Sequence, residues 1–252
     1  MIANLNGLVW LLVSLGILLL LQRSLHREIQ AVFLLLTHRQ AIALVMFSIL
    51  FFPGVLLHEV SHYLVAVLTG VRTGGFSLIP RPLQDGRLQL GYVETVPTDF
   101  VRESLIGVAP LVSGGLFVTF AGLYRLGLPV LWESLTHTSW DGFIQALSAL
   151  PIRPDFWLWF YLTFVISSTM LPSSSDRRAW LPLGLVAGVL LGLSLLAGAG
   201  PWLLIHLAPP VNRALLALAM ALGISAALHL VLLLPTWIVR FSLMRLTGYH
   251  LA

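Results

Sequence analysis

The sequence predicts an all-α, multi-pass membrane protein with about six transmembrane helices and a short membrane-associated β-hairpin after the second. Three observations carry this. The 252 residues are 58% hydrophobic and only 10% charged, more apolar surface than one soluble core of this length can hide. Six apolar runs approach the roughly 20 helical residues needed to cross a hydrocarbon core about 30 Å thick. Between the second and third runs lies a stretch that alternates in the manner of a strand.

The first run, 3–21, has no basic segment before it and no small-residue cleavage site after it. It therefore reads as a retained span rather than a signal peptide. Residues 22–40, QRSLHREIQAVFLLLTHRQ, mix charges with an apolar centre and suit an interfacial segment. The second run, 41–70, contains Pro53, a candidate kink. Residues 73–97 hold a β-prone run, the Asp85–Gly86 turn signal and the alternating RLQLGYVETV; Pro80 and Pro82 confine the first strand to an edge. The third run is 103–127, and 128–155 reads as a polar connector with Trp132, His137 and Trp140. The fourth, 156–172, is the shortest, ending at Pro172 and a serine run that break the helix. Runs at 180–200 and 212–239 complete the set. This divides the chain into an N-terminal helix with its interfacial segment (1–40), a core (41–181) and a C-terminal helix pair (182–252).

The net charge of +4 comes from 14 Arg and no Lys. The arginines are scattered between apolar runs, so they read as interfacial anchors and topology signals, and no nucleic-acid partner is expected. With the N-terminus in the cytoplasm, eight arginines fall inside and six outside, among them Arg23, Arg27 and Arg39. That is a faint positive-inside bias, which puts the site toward the cytoplasmic side; the expected location is a prokaryotic cell membrane. The absence of Cys excludes disulfides and thiolate metal sites.

Within the second run, His58-Glu59-Val60-Ser61-His62 is an H-E-x-x-H motif. On a helix, residues i and i+4 share a face, so His58 and His62 can bind one metal ion, most often zinc. Glu59 is turned about 100° from His58, within reach of a water on that metal without being a ligand. For this composition, chance would produce roughly 0.005 such matches. Three ionisable groups in an apolar span also cost too much to serve packing alone. A hydrolytic zinc wants a third protein ligand and one open position. Among the carboxylates Asp176 stands apart, because it follows a broken helix end next to the membrane; its alternative role is a helix N-cap.

These features resemble the site-2 protease family of intramembrane zinc metalloproteases, over about residues 41–181. The family's aspartate lies in an N-x-x-P-x-P-x-L-D-G pattern. Here Ser168 to Asp176 keeps the spacing of eight, with Ser168 in place of Asn and Arg177 in place of Gly. GVAPLVSGG, residues 107–115, is similar to the family's G-P-x-x-N stretch, with Ala109 for the Gly and Ser113 for the Asn. The resemblance implies zinc held by His58, His62 and Asp176, Glu59 as general base, and a transmembrane protein as substrate. Ser113 and Ser168 are candidate substrate or oxyanion contacts, although small residues such as Ser113 also serve close helix packing. Many members carry a PDZ domain, and the 128–155 connector is too short for one. Two other classes remain open: a membrane metallohydrolase acting on a lipid or prenylated peptide, and a catalytically silent scaffold or transporter.

Overall fold

The computed structural model describes residues 6–79, 81–82, 88–137 and 140–248. Four of its helices are long and apolar enough to cross a membrane, or five if one bent pair is a single span. The first, α1 (Asn6–Thr37), runs straight through the segment expected to lie in the interface. Residues 22–37 contain neither Gly nor Pro to stop the helix. Leu25, Ile29 and Leu35 are buried, which keeps the second half of α1 on the bundle. The second, α2 (Gln40–Leu68), contains Pro53 and ends at Gly70, whose φ of +72° suits a residue without a Cβ.

The expected hairpin is present as two short antiparallel pairs. Strand β1 (Thr73–Ser77) pairs with β4 (Tyr92–Thr95), with a bulge at Gly74–Gly75; β2 (Arg81–Pro82) pairs with β3 (Leu88–Gln89). The Asp85–Gly86 turn lies outside the described residues. Asp99 then caps α3 (Phe100–Phe120), its Oδ1 accepting the N–H groups of Val101 and Arg102 at 3.1 and 3.0 Å. A single π-helical turn, Ala121–Arg125, extends α3.

The stretch expected to be a polar connector contains two short helices, α4 (Leu128–His137) and α5 (Trp140–Ala149). Each has apolar residues at i, i+3, i+4 and i+7, a helical period that the overall polarity of the stretch disguises. Next, α6 (Phe156–Thr169) has only 14 residues, about 21 Å of helix. It is too short to cross the bilayer alone, so a sixth crossing is not established. The run at 180–200 bends by 120° between α7 (Trp180–Leu196) and α8 (Gly200–His206), where Gly198 takes φ +82°. The last helix, α9 (Ala208–Thr247), packs along α1.

The main core joins α1, α2 and α6 through Leu25, Phe47, Phe51, Val55 and Phe164, while large apolar side chains line the outer surface. Lipid on the outside removes the need for a polar exterior, so the polar groups collect between helices.

Candidate metal centre

The site lies where the C-terminal half of α2 meets the start of α3 and the end of α6. His58 Nδ1 donates to the Thr169 carbonyl at 2.6 Å, and His62 Nδ1 donates to the Ile106 carbonyl at 2.8 Å. A carbonyl oxygen only accepts, so these bonds put the ring hydrogen on each Nδ1 and leave each Nε2 with a lone pair. Both carbonyls are free for local reasons. Ile106 would normally accept from residue 110, but that residue is Pro110 and has no N–H. Thr169 is the last residue of α6, where carbonyls lose their helical partners.

The two Nε2 atoms are 3.1 Å apart, a repulsive arrangement of lone pairs unless a cation or a shared proton lies between them. Facing them is Asp176, with Oδ1 3.4 Å from His62 Nε2 and Oδ2 3.8 Å from His58 Nε2. A tetrahedral zinc with ligands at about 2.0–2.1 Å spaces its donors about 3.3 Å apart. Two imidazoles and a carboxylate at these separations fit such an ion, and they form the one cluster of this kind among the described residues.

Asp176 is held from two sides. The Ser173 N–H donates to Oδ2 at 2.6 Å, and the Asp176 N–H donates to Ser173 Oγ at 3.3 Å. From α3, Gly107 comes so close that an added Cβ would sit 2.0 Å from the Asp176 carbonyl oxygen. Gly54 does the same for α2 and α6, since a Cβ there would sit 2.3 Å from the Val165 carbonyl. Gly107→Ala is therefore expected to push the Asp176 loop away and weaken metal binding about 10- to 100-fold with the helical content unchanged. Metal titration followed alongside circular dichroism checks this. Gly115→Ala, whose Cβ would meet nothing closer than 3.9 Å, is the matched control.

Glu59 is buried and borders the same cavity as His58, His62 and Asp176. This cavity has a volume of about 1050 Å³, and residues Leu90–Thr95 form one wall. Gly91 lies directly on Glu59, where a Cβ would be 2.9 Å from Glu59 Cγ. Arg177 and Arg178 also border this cavity.

The two serines are engaged elsewhere. Ser113 Oγ is 2.6 Å from Ser61 Oγ, which in turn donates to the Leu57 carbonyl, so this pair ties α3 to α2. Ser168 borders the cavity, but its hydroxyl donates to His229 Nε2 at 2.9 Å, because His229 Nδ1 already donates to the Ser225 carbonyl. Pro172 leaves the Ser168 carbonyl without its helical donor, and Gln22 Nε2 takes that place at 2.7 Å. Ser168→Ala is thus expected to orphan a buried imidazole and cost about 1–3 kcal/mol of stability, while metal occupancy is retained. Thermal unfolding measured with metal content tests this, and loss of metal without loss of stability would contradict it.

Sequence reasoning did not find the roles of Ile106, Thr169, Ser173 and Gly107. Pro110, four residues beyond Ile106, marks a freed carbonyl in the sequence but does not say which side chain claims it. No protein-family model matches the chain, and no curated protein or solved structure matches it either.

Proposed function

We propose that the protein is an intramembrane zinc metallopeptidase of the site-2 protease type, hydrolysing peptide bonds of transmembrane protein substrates within or near the bilayer. The observation that supports this best is the meeting of His58, His62 and Asp176 with Glu59 in one cavity, among apolar helices and beside a β-strand. On this reading the chain crosses the membrane six times, with α6 as a short inner crossing and α7–α8 as a bent one. The zinc site then faces the cytoplasmic side of a prokaryotic cell membrane.

The residues divide the work as follows. His58, His62 and Asp176 hold the ion, and their partners Thr169, Ile106 and Ser173 fix the orientation of each donor. Zinc bound to these donors would lower the pKa of a water and polarise a substrate carbonyl. Glu59, bordering the same cavity, would take the proton of the attacking water on its carboxylate and return it to the leaving amine as the C–N bond breaks. The backbone of β4 offers hydrogen bonds to an extended substrate segment, which a helix must become before its peptide bond can be attacked.

Comparing the membrane-protein fragments in cells carrying wild-type protein or Glu59→Gln tests the proposal. Specific fragments that need Glu59 support it. Altered lipids or prenylated peptides with unchanged protein fragments would favour the metallohydrolase reading. A protein that binds no metal would favour a scaffold or transporter.

A further inference from the structure

We infer that the helical hairpin α4–α5 is a bilayer-docking element, lying in the headgroup–acyl boundary on the membrane face opposite the metal centre. This stands independently of the protease reading.

The argument starts from two matching patterns. In α4, Leu128, Leu131, Trp132 and Leu135 occupy i, i+3, i+4 and i+7; in α5, Trp140, Phe143, Ile144 and Leu147 repeat the spacing. Each set makes one apolar stripe, with Glu133 and Thr136, or Asp141, Gln145 and Ser148, on the remaining surface. The two helices pack against each other. Leu128 and Leu131 spend their part of the stripe on a cluster with Leu126, Leu150, Phe156 and Leu228. The rest stays uncovered: Trp132 and Trp140 are each 69% exposed, and Leu135, Ile144 and Leu147 are exposed as well. An apolar surface of this extent calls for a covering partner.

Lipid is the occupant that fits. The hairpin is flanked in the chain by Tyr124, at the end of the α3 extension, and Trp157, in the first turn of the apolar helix α6, and both side chains are exposed. Four aromatic residues, Tyr124, Trp132, Trp140 and Trp157, thus gather at one end of the bundle, as interfacial belts do. Charge points away from an anionic partner: over residues 125–155 Arg125 and Arg153 are outnumbered by Glu133, Asp141 and Asp155, a net charge of −1. A zwitterionic bilayer surface satisfies both the stripe and the charge.

The placement also bears on depth. Helix α3 has Gly107 against the Asp176 loop and reaches the hairpin after Arg125, 18 residues and about 27 Å further on. With the hairpin in one interface of a hydrocarbon core about 30 Å thick, Asp176 falls near the opposite interface.

The chain contains no Cys, so single cysteines for spin labels can be introduced cleanly. The positions are Leu135→Cys and Ile144→Cys on the stripes, and Glu133→Cys and Gln145→Cys on the polar faces, in phosphatidylcholine proteoliposomes. Labels at 135 and 144 are expected about 5–10 Å below the headgroups, open to oxygen and closed to a water-soluble nickel chelate. Labels at 133 and 145 should show the reverse, and added phosphatidylglycerol should not deepen any of them. Equal water access at all four positions would overturn the inference in favour of a free connector. Shielding of 135 and 144 from both probes would overturn it in favour of a protein partner or a second copy. As a label-free check, brominated phosphatidylcholine should quench the wild-type tryptophan fluorescence more than that of the Trp132→Phe/Trp140→Phe variant; equal quenching would count against the inference.

Discussion

Glu59→Gln is expected to keep the metal and lose turnover by at least about a hundredfold. The substitution preserves length, volume and hydrogen-bonding capacity but removes the basic oxygen. Glu59 sits one residue from His58 and is no part of the His58–His62–Asp176 cluster. Gly91 lies against its side chain, so the shape of the site near β4 should survive the exchange. An uncleaved substrate should also stay in the cavity longer, which crosslinking from β4 would detect. Near-normal cleavage by a metal-loaded Glu59→Gln protein would remove Glu59 from the role of general base. Loss of the metal would make it structural instead. Failure of folding is separable, because thermal unfolding reports it directly.

The second large effect concerns the donors themselves. His58→Ala, His62→Ala and Asp176→Ala should each lower zinc affinity at least about a hundredfold, and each should abolish activity, since even the partners that only orient such ligands are worth 10–100-fold. The three need not respond alike in stability. Removing either imidazole leaves a freed carbonyl, of Thr169 or Ile106, without its donor between helices, at a cost of about 1–3 kcal/mol. Removing the Asp176 carboxylate instead frees the Ser173 N–H in an exposed turn, where water can replace it, so Asp176→Ala should be the most stable of the three. Zinc content and thermal midpoints measured on the same preparations read out both halves. Full metal occupancy and activity in Asp176→Ala, with both lost in His58→Ala, would place the third ligand elsewhere.

Much of this site was legible in the chain before any tertiary contact was known. The i, i+4 spacing of His58 and His62 fixes a shared helix face by backbone geometry alone. Asp176 stood out because Pro172 and a serine run stop a helix beside it. The fold was less evenly readable. The four long helices follow from unbroken apolar runs. The continuity of α1 beyond residue 21 does not, because the charges of Arg23, Arg27 and Glu28 suggest an interface. Their cost is met by exposure of the two arginines and by an ion pair between Glu28 and Arg240, 212 residues away in sequence.

The sequence by itself determined what depends on near neighbours: the membrane class, the histidine pair with its glutamate, and the break that carries Asp176. Only the tertiary structure decided which distant groups meet. It brought Asp176 to the histidines by letting Gly107 seat α3 against the Asp176 loop and Gly54 seat α2 against α6. It gave the carbonyls of Ile106 and Thr169 to the two imidazoles, and turned Ser113 and Ser168 toward Ser61 and His229. The physical reason is range. Helical periodicity is set by hydrogen bonds four residues apart. The approach of two helices is set by side-chain volumes and vacant backbone acceptors on segments far apart in sequence, 111 residues for His58 and Thr169 and 212 for Glu28 and Arg240.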